Sequence, residues 1–250
     1  MKGPCVDSGI LNIEQEPVLV QGGQGRRVFI ETYGCQMNLS DSELVFGVLQ
    51  ASNYRFASCL EDADVVLLNT CAIRERAEER ILGRLSQLSR LKVRRPDLVL
   101  GVCGCMAKHL ADDLLDRAPY VDLVVGPNSY RRLPDLIAQA SDESALDVRL
   151  DRDEDYLELD PVRQEGTNAW VTIMRGCDKF CSFCIVPYVR GRERSVPAGE
   201  VLRQVEVAAS EGFREVTLLG QTVNSYNDGQ HDFADLLRMV ARIEGVRRIR

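Results

Sequence analysis

The chain has 250 residues, 45% hydrophobic and 28% charged, with a formal net charge of −7; this fits one large or two ordinary globular domains. No apolar run approaches the roughly 18 residues of a membrane helix, and residues 1–20 lack the basic flank and apolar stretch of a signal peptide, so a cytoplasmic protein without a membrane partner is expected. Nine cysteines in such a setting are expected as ligands or core thiols, since a reducing compartment disfavours disulfides. The acidic excess is local: residues 141–165 hold ten acidic side chains against three basic ones, which leaves the remainder neutral. Arg74 to Arg95 holds eight basic residues against three acidic, and Arg190, Arg192 and Arg194 surround one glutamate. These are either phosphate-binding faces or plain solvated surface.

Residues 1–26 read as a flexible leader. Then follow Val28–Tyr33 as a strand, Ser40–Ala51 as a helix, Val65–Asn69 as a strand, Arg74–Leu91 as a helix and Leu98–Val102 as a strand. Ala107–Arg117 as a helix, Val121–Val125 as a strand and Tyr130–Ala140 as a helix complete the first unit. Short strands alternating with helices predict an α/β fold, a doubly wound parallel sheet over residues 27–140. Residues 141–168, acidic and poor in apolar side chains, read as a linker. From 169 the alternation resumes: Trp170–Arg175 as a strand, Ala198–Glu211 as a helix, Glu215–Leu219 as a strand and Phe233–Arg242 as a helix.

Cys177, Cys181 and Cys184 lie in Arg-Gly-Cys-Asp-Lys-Phe-Cys-Ser-Phe-Cys, a Cys-x3-Cys-x2-Cys spacing. A structural zinc site takes four protein ligands, and a ferredoxin run is tighter with a fourth cysteine. Three thiolates leave one iron of a four-iron cluster open, and the spacing resembles that of the radical S-adenosylmethionine (SAM) enzymes, where SAM fills the open position. Cys35, Cys71 and Cys105 each lie just past the end of a predicted strand, on the edge where parallel sheets bind ligands. Gly34 and Gly104 precede two of them and permit sharp turns. Spacing alone leaves Cys103 and Cys105 as rivals, and Cys5, Cys59 and Cys103 are expected as structural thiols. His109 and His231 are expected on surfaces or helices.

Five ordered motifs sharpen the reading: Tyr-Gly-Cys-Gln-Met-Asn (33–38), Asn-Thr-Cys-Ala-Ile-Arg-Glu (69–75), Cys-Asp-Lys-Phe-Cys-Ser-Phe-Cys-Ile-Val-Pro-Tyr (177–188), Arg-Gly-Arg-Glu-Arg-Ser (190–195) and Leu-Leu-Gly-Gln-Thr-Val-Asn-Ser-Tyr (218–226). They resemble the methylthiotransferase family of radical SAM enzymes, and its tRNA-modifying branch in particular. A sister branch modifies an aspartate of a ribosomal protein and is expected to carry Pro-Lys-Asn where this chain has Gln36-Met37-Asn38.

The resemblance implies two [4Fe-4S] clusters. One, on Cys177, Cys181 and Cys184, would bind SAM and yield a 5′-deoxyadenosyl radical; the other, on Cys35, Cys71 and Cys105, would carry the transferred sulfur. The implied substrate is carbon 2 of N6-isopentenyladenosine beside the anticodon in tRNA, with Arg190, Arg192 and Arg194 against its phosphates. Phe183 is expected near the SAM adenine, and Gly220 and Gln221 against its methionine end. A monomer fed by an electron donor such as flavodoxin or ferredoxin is expected. The family barrel continues beyond the segment at 169–250, so this chain is expected to hold only the first part of a partial β/α barrel. The alternatives are the ribosomal-protein substrate and a non-catalytic fragment that holds iron or RNA.

Overall fold

A computed structural model of the chain describes residues 25–72, 75–141, 143–151, 154, 156–163 and 166–250. All but the last two residues of the expected leader lie outside these, as does Cys5. Strand β1 (Arg27–Tyr33) is followed by α1 (Gln36–Ala51), β2 (Arg55–Phe56), β3 (Val65–Thr70), α2 (Glu75–Arg94) and β4 (Val99–Gly104). Then come α3 (Cys105–Leu110), α4 (Asp112–Arg117), β5 (Leu123–Val125), α5 (Leu133–Gln139) and β6 (Ala145–Asp147). These strands form a parallel sheet in the order β2-β1-β3-β4-β5-β6. The chain leaves β1 to either side, so the crevice of this doubly wound sheet opens between the ends of β1 and β3.

Successive side chains of a strand point to opposite faces, and β3 uses both. Val65 and Leu67 join the core under α1 and α5, whereas Val66 and Leu68 join the one under α2, α3 and α4. Ile81, Leu85 and Leu88 of α2 are buried at the spacing of a single helix face. The α/β expectation is met here.

In the second unit, β7 (Asn168–Thr172), β8 (Met174–Arg175), α6 (Val186–Val189) and β9 (Arg194–Ser195) precede α7 (Ala198–Ser210), β10 (Glu215–Leu219), α8 (Phe233–Val240) and β11 (Arg248–Ile249). Strands β7, β10 and β11 are parallel in the order β11-β10-β7, the repeating arrangement expected of an opening barrel. Strands β8 and β9 pair antiparallel, Met174 with Ser195 and Arg175 with Arg194. They clasp the base of the loop that carries Cys177, Cys181 and Cys184.

Three details differ from expectation. The predicted helix Ala107–Arg117 is two helices, broken at Ala111 with φ 42°. The predicted strand Trp170–Arg175 divides, because Met174–Arg175 turns away to pair with β9. The acidic segment 141–168 adds β6 to the sheet edge and buries Tyr156, whose hydroxyl donates to the Pro127 carbonyl at 2.7 Å. Its acidic average conceals inward positions such as Ala145 and Asp147. The two units meet along α1: the Ser40 hydroxyl lies 3.0 Å from that of Thr172.

Candidate active site

Cys35 precedes α1 at the end of β1, Cys71 follows β3, and Cys105 opens α3 after β4. Gly34 (φ 144°) and Gly104 (φ 96°) sit in the region that favours glycine. A Cβ on Gly34 would lie 2.7 Å from Cys71 Cβ, and one on Gly104 would lie 2.5 Å from the Thr70 carbonyl oxygen. Neither close approach tolerates a side chain. Buried amides pin the same edge: Asn38 Nδ2 donates to Asn69 Oδ1 and to the Thr70 carbonyl, each at 3.2 Å. Asn69 Nδ2 returns bonds of 2.8 Å to the Asn38 carbonyl and Ser42 Oγ.

These three thiols differ electrostatically. The Cys71 hydrogen bond, against partial burial and aided by the Asn38 and Met37 backbone N–H groups, pulls Cys35 down from 9.0 to about 5. Burial pushes Cys105 up, opposed by the nearby Arg190 guanidinium. Cys103 belongs to the apolar core between β4 and α1, where burial raises it strongly.

In the second unit Gly176 (φ 77°) begins the cysteine loop, where a Cβ would collide with the Arg192 backbone. The Cys177 N–H donates to the Gly191 carbonyl at 3.2 Å, closing that loop. Cys177 is buried, Cys184 half-buried and Cys181 exposed. Cys177 Sγ lies 3.4 Å from the Thr222 hydroxyl. None of the eight described cysteines is in a disulfide.

Cys35, Cys71, Cys105, Cys177 and Cys184 line one cavity of about 340 Å³, together with Gly220 and Gln221. Residues 149 positions apart in sequence thus face the same space. Gln221 Oε1 is buried there without a hydrogen-bond partner, an acceptor that awaits a donor. Among the described residues no three His, Cys, Asp or Glu side chains converge tightly enough for a single metal ion; a four-iron cube takes one cysteine per iron and so a wider spread of thiols. Phe183, expected beside the SAM adenine, is 91% exposed and not part of the cavity lining. His109 lies 3.7 Å from Glu78, and His231 lies 3.3 Å from Asp228, neither on the cavity.

The expectation that Arg190 meets tRNA phosphate is corrected. Arg190 is buried, donating through Nη2 to Asp41 Oδ2 at 2.6 Å and through Nε to Cys105 Sγ at 3.1 Å. Arg175 Nη1 donates to the other Asp41 oxygen at 2.9 Å. Burial opposes the charge of Asp41, yet Arg190 and Arg175 outweigh it and hold the carboxyl below the usual carboxylate range. Arg192 remains exposed, paired with Asp178 at 2.6 Å and set over the Phe180 ring. Arg194 donates to the Glu154 carbonyl at 2.8 Å. Sequence reasoning missed Asp41, Arg175 and Thr222. The signal for Asp41 was a polar run, Ser40 to Glu43, within a helix that must be covered on both sides.

Family models match two segments: "Uncharacterized protein family UPF0004" over residues 27–126 and "Radical SAM superfamily" over 171–250. The chain is 47% identical over 230 residues to the tRNA-2-methylthio-N(6)-dimethylallyladenosine synthase of Chloroherpeton thalassium, covering 91% of this chain and 51% of that protein. Against the mitochondrial tRNA methylthiotransferase of Rattus norvegicus it is 48% identical over 227 residues, covering 86% and 39%. Among solved structures it is similar to the radical S-adenosylmethionine methyltransferase TsrM of Kitasatospora setae, with a TM-score of 0.58 and 13% identity, covering 87% of this chain and 51% of that one; this likeness is one of fold. The chain spans about half the length of the curated relatives it matches. In order, then, the chain carries a UPF0004 segment and a radical SAM segment, and over nine-tenths of its length it is nearly one-half identical to tRNA methylthiotransferases.

Proposed function

We propose that this chain is the cluster-bearing part of a tRNA methylthiotransferase that modifies carbon 2 of N6-isopentenyladenosine beside the anticodon. The observation that carries the reading is the single cavity onto which cysteines of both triplets open. Cys177, Cys181 and Cys184 would hold one [4Fe-4S] cluster with SAM on its open iron, and Cys35, Cys71 and Cys105 a second. When bound, these groups supply reductive cleavage of SAM and the sulfur to be transferred. The residues present fit them: thiols outside any disulfide, glycines whose positive φ makes the tight turns at each triplet, and the orphaned Gln221 Oε1 as acceptor for an amine such as that of SAM.

The protein's own part is to orient and to exclude water. Asn38 and Asn69 fix the end of β3 against the start of α1, and the β8–β9 clasp fixes the second triplet beside it. Exposed Phe183 and Tyr188, with Arg192 set over the exposed Phe180 ring, suit a single-stranded loop, whose bases stack on aromatic rings while phosphates meet arginine. The same reading takes a flavodoxin- or ferredoxin-type electron donor, a monomer and a cytoplasmic setting.

The test is anaerobic reconstitution with iron and sulfide, then reduction in the presence of SAM and isopentenylated tRNA. About eight irons per chain are expected, four on each triplet, with 5′-deoxyadenosine and 2-methylthio nucleoside in the digested tRNA, both lost in Cys181→Ala. Methylthiolation of a ribosomal protein instead would overturn the substrate; iron without deoxyadenosine would leave a cluster-holding piece only.

A further inference from the structure

Two arginines and one aspartate are packed together at the wall of the cavity, which Arg190 itself lines, a buried set with one surplus positive charge. Arg190 and Asp41 side chains are 5% and 0% exposed, and that of Arg175 is 10%. Asp41 accepts from both guanidinium groups, one on each oxygen, and Arg175 also lies over the Tyr156 ring, 4.8 Å from its centre. A buried charge without a partner is costly, so the surplus calls for an anion, and Arg190 Nε is aimed at one. A guanidinium nitrogen can only donate, so at 3.1 Å Cys105 Sγ is the acceptor. The second triplet is treated differently: the Thr222 hydroxyl, a neutral group, lies 3.4 Å from Cys177 Sγ.

We propose that Arg190 is a positioning residue that raises the reduction potential of the cluster on Cys35, Cys71 and Cys105, through its charged hydrogen bond to Cys105. The inference rests on the reading that this triplet holds a cluster. Reduction adds one electron from the reductant and breaks no bond, so the reduced form is more negative by one charge and gains more from the guanidinium than the oxidised form does. Hydrogen bonds to cluster sulfurs and local charge are the protein's means of setting potential. Arg190 also joins the two triplets mechanically. It follows the loop of Cys177, Cys181 and Cys184, yet it binds a ligand of the other set and the helix that begins beside Cys35.

The experiment uses the full chain with Cys177, Cys181 and Cys184 all changed to Ala, so that a single cluster is read. After reconstitution, iron is counted and the midpoint is taken by dithionite titration with electron paramagnetic resonance of the reduced cluster. Arg190→Gln is expected to lower the reduction equilibrium at least tenfold, which is about 59 mV for a one-electron couple. Arg190→Lys, which keeps the charge without the planar fork, is expected between the two. Arg175→Gln frees one Asp41 oxygen but touches no sulfur, and is expected to shift the midpoint far less. A loaded Arg190→Gln protein with the parent midpoint overturns the proposal, as does an Arg175→Gln shift of equal size. Should Arg190→Gln lose its iron, a parent-like midpoint in Arg190→Lys overturns it. A parent that binds no iron overturns instead the assignment of the cluster to Cys35, Cys71 and Cys105.

Discussion

The thiolate, not the thiol, is both nucleophile and metal ligand, so the depressed Cys35 is prepared for that role at neutral pH. Its low value depends first on the Cys71 hydrogen bond, with burial working against it. Iodoacetamide labelling of the metal-free protein, followed by peptide mass spectrometry, is expected to place the half-maximal alkylation of Cys35 near pH 5. In Cys71→Ala that midpoint is expected to move up towards 9.0, the ordinary value from which Cys35 is displaced. A wild-type midpoint already near 9 would sink the account. Cys103 is expected to stay unlabelled throughout, because it is buried and shifted the other way. The contrast between Cys103 and Cys105 was not legible in the sequence. Two residues apart in a strand, both thiols would share a face; the left-handed turn at Gly104 sends Cys105 out of the sheet and leaves Cys103 within it.

Elements set which residues can reach the crevice, and the turns at their ends carry the strain. Gly104→Ala places a Cβ against the Thr70 carbonyl at a φ that alanine resists. Such strain costs about 1–3 kcal/mol, so a lower urea midpoint and weaker iron loading are expected, whereas Gly83→Ala, with open space around it in the interior of α2, is expected to keep iron loading and to raise the urea midpoint slightly. Equal midpoints for the two variants would remove the argument. Strands β1, β3, β4, β5, β7 and β10 and helix α2 were legible because apolar runs and helical periodicity announce them, whereas the two-residue strands β2 and β9 were not. The start of α1 was not: Gln36 to Leu39 alternates polar and apolar residues instead of following helical spacing, and the helix begins there because Asn38 Oδ1 accepts from the Cys35 N–H at 3.3 Å. The break at Ala111 has no glycine or proline to announce it, and β6 is hidden in acidic sequence. The two cysteine triplets were legible as sets of residues, but their common cavity depends on how the two units dock, which no local pattern encodes.

At the scale of the molecule, that docking turns on Asp41. The carboxylate belongs to the first unit and both of its arginines to the second, so its removal leaves two guanidinium groups buried without an anion. Breaking a buried ion pair on one side costs about 3–5 kcal/mol, and Asp41→Asn is expected to lose stability of that order in urea at pH 7. It should also lose the fixed spacing of the triplets, read as a changed distance between spin labels placed one in each unit. The pH dependence follows from the sign of the shift. Asp41 is depressed in the folded protein and returns to about 3.9 when unfolded, so its stabilisation is complete above pH 4 and drains away as pH falls towards the folded value. The stability gap between wild type and Asp41→Asn is therefore expected to be constant from pH 7 to 5 and to narrow below 4. A gap that narrowed instead between pH 8 and 6 would assign the loss to another group, and one that never narrowed would mean that packing, not charge, holds the two units together.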